Sequence, residues 1–319
     1  MFSRVVRRPR EALLGRWIIR KHGVAASRRC SAAMFSVRSS APRLGQDENL
    51  QEDADLYGNS SSLSPEGLKA FRDVVTSRKT AFSFSEKEVD PSALREIMAL
   101  TQSAPSSFNI QPWSVVVVRD TAARERLSTA MLGGNVKKVL AAPVTAVFCA
   151  DLEPSKRIHR MVELNRQADM PEAEITKLCL AVNLFSGEGM VGNAVRNAVT
   201  NIASPMQPAP EVGSAEAWSF KNTALAVQTY ILACTAHGLD TAPMEGFDAR
   251  RVRAALDIPD RYGIPMVVPT GYPAPSKPGG QGGGGDGGVV ARRWRYPPQE
   301  VVFDGAFGVG MTGVDPVVP

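Results

Sequence analysis

No stretch of this 319-residue chain approaches 18 or so consecutive apolar residues, the longest apolar segments lying around residues 115–118 and 144–150, so no membrane-spanning helix is expected. Cysteine is scarce. The four present, Cys30, Cys149, Cys179 and Cys234, form no CxxC and no close pair, which supports neither a disulfide framework nor a zinc site. Cys149 and Cys234 lie in apolar runs and read as small buried hydrophobes. Histidine is scarcer still. His22 falls in an N-terminal segment expected to be removed, and His159 and His237 fall on expected helices, so no Ser-His-Asp arrangement is supported. No repeat of about 20 to 50 residues is visible, which excludes a solenoid or propeller.

What is present is a globular composition, 44% hydrophobic and 22% charged, enough for one sizeable core. The isoelectric point near 9.1 suggests a nucleic-acid partner until the charges are located. Residues 1–46 hold ten arginines and Lys21 against the single acid Glu11, a net +10; the whole chain is +5, so the remainder is about −5. A mildly acidic body gives no electrostatic reason to expect a phosphate backbone, and no nucleic-acid partner is expected.

Residues 1–45 are Arg-rich, Ser-rich and acid-poor, and Val6, Leu13, Trp17 and Ile18 can share one helix face opposite arginines. That is the composition of a mitochondrial or plastid transit peptide, and a mitochondrial location is expected. The alternative is a basic arm that stays on the mature protein. A secretory signal is disfavoured because Arg16, Arg20 and Lys21 interrupt the apolar stretch. Residues 46–64, acidic and then Ser-rich, read as a solvated linker before a domain spanning residues 65–319.

Within that domain Ser64-Pro65-Glu66 predicts a helix over 65–77, Asp90-Pro91 one running to about 103, and Asp248 one containing Val252 and Leu256. Residues 221–237 are apolar almost all round and predict a helix buried on most sides, ended by Gly238. The β-branched runs at 114–118, 143–150, 264–272 and 300–303 predict strands. Strands separated by helices indicate an α+β domain, three-layered, with a mixed sheet and flanking helices. Residues 153–213 read as a helical excursion over the site, where substrate choice would reside. Residues 278–288, PGGQGGGGDGG, are a flexible insertion.

Three distant segments carry the chemistry. APSSFNIQPW at 104–113 is a polar turn running into a Val-rich strand; TAPMEGFDARRVRAAL at 241–256 follows the buried helix; and a GY turn lies at 271–272. Together they resemble the FMN-dependent nitroreductase family over residues 70–303, and within it the mitochondrial eukaryotic type I enzymes, especially in KNTALAVQTYILACTAHGLDTAPMEGFD and DIPDRYGIP. The resemblance implies a homodimer with FMN at the interface. It also implies that NADH or NADPH gives hydride to flavin N5 and that a nitroaromatic or quinone takes the electrons in ping-pong turnover.

Carried over by position, the resemblance implies that Arg78 and Thr80 reach the FMN phosphate and ribityl chain and that Arg295 closes on the phosphate, with Arg293 a third cation or a solvated charge. Two guanidiniums on a dianionic phosphate gain bidentate charge-assisted hydrogen bonds. Pro105, Ser106, Ser107 and Asn109 match positions that approach the flavin held by the second subunit. Glu245 and Gly246 match the place where a backbone N–H points at N5, and Gly246 permits that approach because it has no Cβ. Asn135 and Lys138 match positions beside the pyrimidine end, where a cation stabilises the anionic reduced flavin. Relatives usually carry Arg or Lys two residues after the position of Thr80, and here Phe82 stands there. Either Lys138 supplies the charge alone, or Lys79 substitutes, or the flavin potential is lower; Lys138 is favoured.

Two rivals remain. GEGMVG at 187–192 fits G-x-G-x-x-G after the apolar run LCLAVNLF, with Glu211 downstream, and would make a Rossmann-type NAD(P) dehydrogenase if that run were a strand. A flavin-binding protein that only stores or senses FMN is the non-enzymatic alternative. Halotyrosine deiodinase activity is disfavoured, since residues 151–215 contain no tyrosine.

Overall fold

The computed structural model describes residues 63–208, 211, 213–274 and 295–316, which belong to the compact unit beginning at Leu63. The expected presequence 1–45, nearly all of the linker 46–64, the Gly-rich insertion 278–288 and Arg293 lie outside the described residues.

The first helix, α1 (Pro65–Ser77), starts where its cap dictates: the Ser64 hydroxyl accepts from the Gly67 N–H and Pro65 occupies the first turn. Helix α2 (Pro91–Gln102) repeats the arrangement with Asp90 accepting from the Ser92 N–H. Then come β1 (Trp113–Val118), α3 (Thr121–Ser128), α4 (Asn135–Ala141) and β2 (Val144–Asp151). The excursion is helical as expected, with α5 (Ile158–Gln167), α6 (Glu172–Phe185) and α7 (Met190–Ala203). Helix α8 (Ala215–Ala236) begins earlier than residue 221 because the Ser214 hydroxyl caps it, and Gly238 beyond its end has φ 70°, the left-handed conformation that closes a helix. β3 (Asp240–Thr241), α9 (Ala249–Ala255), β4 (Tyr262–Gly271) and α10 (Pro298–Val301) complete the order.

The four strands form one sheet, β1-β2-β4-β3, whose ladders are all antiparallel. The parallel component of the expected mixed sheet is reduced to an isolated bridge, Thr80 to Thr241. Every residue of β2 is buried, so both sheet faces are covered. Its side chains alternate between two cores, as a period of two requires. Ala146 and Phe148 pack with Leu94, Ile97, Tyr230 and Cys234 from α2 and α8. Val147 and Cys149 pack with Leu127, Val139 and Val252 from α3, α4 and α9. This gives the α+β, three-layer arrangement. Burial of Cys149 and Cys234 pushes both thiols up to about 12, as befits inert core residues.

Residues 300–303, expected as a strand, end α10 instead. Pro298 sits in its first turn, where the fixed φ of proline suits a helix start, and β pairing survives only as the bridge Phe303 to Gly310.

Candidate functional site

Arg78 caps the C-terminus of α1, its N–H donating to the Val74 carbonyl. Burial lowers the pKa of its guanidinium, and the like charge of Arg295 lowers it further. A residue at the end of the first helix and one more than two hundred positions later therefore share one electrostatic neighbourhood. A bound anion would relieve that like-charge repulsion. After Arg78 the chain runs along the sheet edge: Thr80 bridges Thr241, the Ala81 N–H donates to the Thr241 carbonyl at 2.9 Å, and Ala81 packs with Phe84, Ala142 and Ala242. Lys79 turns to Asp240, 3.5 Å away, in an ion pair whose carboxylate is largely buried.

A second group is centred on Lys138 in α4. Its ammonium donates to Asn135 Oδ1 at 3.2 Å and lies 4.8 Å from the centroid of the Phe82 ring, a cation–π contact. Burial lowers its pKa. Asn135 Nδ2 donates in turn to the Gly246 carbonyl at 3.0 Å, which also accepts from the Leu132 N–H. A Cβ on Gly246 would stand 2.7 Å from Asn135 Nδ2, so any side chain there would push the Asn135 amide aside. The Gly246 N–H makes no hydrogen bond among the described residues. Glu245 is exposed, its carbonyl accepting from the Phe247 N–H.

The third group is the turn before β1. Ser107–Asn109 is a single 3-10 turn in which Phe108 (φ 57°) and Asn109 (φ 51°) are left-handed, as is Gln111 (φ 48°) just beyond. Asparagine tolerates this region, whereas phenylalanine and glutamine enter it at a cost. The Ser107 N–H donates to Asn222 Oδ1 on α8 at 2.8 Å, and Asn222 is buried. Ser106 Oγ accepts from the Gln111 N–H at 2.9 Å. Pro105 and Asn109 are exposed.

The structure thus places Arg78 within electrostatic reach of Arg295 and links Phe82, Lys138, Asn135 and Gly246 into one chain of contacts. Pro105, Ser106, Ser107 and Asn109 form a separate group, with no hydrogen bond to either among the described residues. The excursion packs on this turn through Ile110, Met161, Val182 and Trp218, with Phe108 and Phe185 rings 5.9 Å apart. Beneath it lies a cavity of about 340 Å³ lined by Ser107, Phe108, Phe185, Trp218 and Lys221 among others. A larger cavity of about 650 Å³, lined by Phe84, Arg119, Arg124 and Val144, contains none of the expected site residues.

The dinucleotide-loop alternative fails on the element before it. LCLAVNLF is the end of helix α6, not a strand, and Gly187 is glycine because a Cβ there would meet the Gly213 carbonyl at 2.1 Å. Glu188 is engaged by the Ser155 N–H and hydroxyl. The sequence reading also missed a buried cluster around Asp151, fully enclosed at the end of β2 and paired at 2.7 Å with both Arg157 and Arg261. The available signal was a lone carboxylate closing the apolar run VTAVFCAD.

These groups can hold a phosphate monoester at the arginine pair and an electron-poor heteroaromatic edge beside Lys138, Asn135 and Gly246. Comparison with known proteins agrees in direction. The Nitroreductase family model matches residues 75–272. A Thermus thermophilus protein named NADH dehydrogenase is 30% identical over 199 residues, 62% of this chain and 83% of that protein. A nitroreductase family protein from Streptococcus pneumoniae superposes with a TM-score of 0.55 at 22% identity, over 73% of this chain and 99% of its own. A nitroreductase in complex with FMN from Exiguobacterium sibiricum superposes with a TM-score of 0.51 at 17% identity, over 70% and 93%. At such identities the structural likeness speaks for the fold.

Proposed function

Because this chain belongs to the nitroreductase family, we propose that it is an FMN-dependent oxidoreductase that takes electrons from NADH or NADPH and passes two of them to a nitroaromatic or quinone acceptor in a ping-pong cycle. The observation that carries this reading is the convergence of three distant segments, contributing Phe82, Asn135 with Lys138, and Gly246, into one contact chain. The relative named NADH dehydrogenase and the FMN complex of a structural neighbour support the donor and the cofactor.

When bound, FMN supplies the redox chemistry, while the protein supplies position and charge. Arg78 and Arg295 would hold the phosphate, and Thr80 would reach the ribityl chain. Lys138 would supply positive charge where negative charge accumulates, its direction fixed by Asn135. Gly246 would offer its backbone N–H to the ring. The cavity under the excursion, bordered by Ser107 and Phe108, receives the second acceptor.

The enzyme works as a homodimer in which Pro105, Ser106, Ser107 and Asn109 approach the flavin of the second subunit. Leu68, Phe71 and Val75 on α1 are exposed, as are Val301, Phe307 and Val309, and apolar faces of this kind mark association surfaces. Sedimentation should give a dimer; a monomer that keeps its flavin would overturn this arrangement. The decisive test of activity is anaerobic titration of the FMN-loaded protein with NADH and NADPH. Bleaching of the yellow flavin, followed by recovery on adding a quinone or nitroaromatic, is expected. A flavin that stays oxidised would mean a storage or sensing protein.

A further inference from the structure

Asp151 is fully buried, and its Oδ2 accepts from Arg157 Nε and Arg261 Nη2, each at 2.7 Å. One carboxylate needs one guanidinium for neutralisation, yet two are present. The second is explained by what it does with its remaining nitrogens. Arg261 Nη2 also reaches the Tyr262 hydroxyl at 3.0 Å, and its guanidinium makes no further hydrogen bond among the described residues. Arg157 Nη1 donates to the Gln111 carbonyl at 2.8 Å, and its Nη2 to Ser114 Oγ at 3.1 Å.

Gln111 is where restraint is needed. Its φ of 48° is left-handed, and it precedes Pro112, a position that favours extended backbone. Its own groups then reach the flavin-facing residues: its N–H donates to Ser106 Oγ at 2.9 Å, and its Nε2 to Asn109 Oδ1 at 3.1 Å. We propose that Arg157 is a positioning residue, a fork anchored on Asp151 that holds Gln111 and through it sets the side chains of Ser106 and Asn109 toward FMN. Because Arg157 ends the 3-10 turn leading into α5, the same fork ties the root of the excursion to the turn it covers. The clamp stands on these contacts; its bearing on flavin rests on the reading proposed above.

The test compares Arg157→Ala, Arg157→Lys and Arg261→Ala by amide hydrogen exchange of the flavin-free protein and by FMN titration. Arg157→Ala leaves Asp151 neutralised by Arg261, so the fold should persist. Both Arg157 variants should show faster exchange at Asn109 and Gln111. Both should bind FMN about tenfold more weakly, the order of loss when a supporting group behind a ligand contact is removed. A lysine ammonium lacks the planar fork that holds Asp151, the Gln111 carbonyl and Ser114 Oγ in fixed directions, so no full rescue is expected. Arg261→Ala should keep near wild-type affinity. Full rescue by lysine, equal damage from Arg261→Ala, or unchanged exchange would overturn the clamp. Faster exchange with unaltered FMN affinity would overturn its link to the flavin. Wild-type protein that takes up no FMN would overturn the functional reading itself, a failure told apart by the exchange comparison, which needs no flavin.

Discussion

Lys138 is held by Asn135 on one side and the Phe82 ring on the other, while Lys79, the alternative cation, is engaged with Asp240. The position of Phe82 two residues after Thr80, which removes a cation from the sequence pattern, therefore has a structural use: its ring seats the lysine that remains. A unit charge ~4 Å from developing negative charge is worth ~1 kcal/mol in water and ~4 kcal/mol at an effective dielectric near 20. Lys138→Ala should lower the two-electron potential of bound FMN by roughly 20 to 90 mV, at ~30 mV per 1.4 kcal/mol. A shift under about 10 mV, well below that range, would show that Lys138 is a bystander. Burial lowers this lysine's pKa, so its positive charge is fully present below that value and is lost as pH rises through it, earlier than for an ordinary lysine. On the alkaline side the wild-type potential should accordingly converge on that of the variant, which a potential-against-pH series would read directly. Gly246→Ala should act through the same chain. Its Cβ displaces Asn135, and losing one or two hydrogen bonds at about 1 kcal/mol each corresponds to a five- to thirtyfold weaker FMN affinity by flavin-fluorescence titration.

Among the elements, β2 supports the most. It lies between β1 and β4, and Phe148 meets Tyr230 edge-on at 5.5 Å in the core beneath α8. Phe148→Ala should cost about 3–5 kcal/mol in urea denaturation, the range for a large buried aromatic; a cost near 1 kcal/mol would mean that the layer beneath α8 collapses to fill the space. Elements such as β2 and the capped helices were legible in the sequence because the signal is local: Ser64-Pro65, Asp90-Pro91 and Asp248 each satisfy their own helix ends. The misreading came where local signals compete: residues 300–303 are β-branched, but Pro298 starts a helix. In LCLAVNLF, which has the hydrophobicity of a buried strand, the helical periodicity that already disfavoured a strand prevails in α6. At the site, the residues expected to face FMN come from motif resemblance, which does not give their contacts. No spacing reveals that Lys138 rests on Phe82, or that Arg157 reaches back 46 positions to Gln111. Such pairings are products of the fold.

For the whole molecule the governing feature is the division of charge. Residues 1–46 carry a net +10 and the rest about −5, and the match to the nitroreductase family begins only at residue 75. No expected flavin contact precedes Arg78, and the first helix of the described residues starts at Pro65. Residues 1–45 should therefore be dispensable for folding and flavin binding while being needed for address, since an Arg-rich, acid-poor amphipathic segment is what mitochondrial import reads. We expect a chain lacking residues 1–45 to purify as a yellow protein with unchanged FMN affinity and an acidic isoelectric point, and to remain cytosolic in cells where the full chain enters mitochondria. The two halves of this prediction separate. Loss of flavin from the truncated protein would assign the basic segment to the enzyme itself. Mitochondrial entry without it would place the targeting signal elsewhere, and leave the ten arginines as an arm of the mature protein.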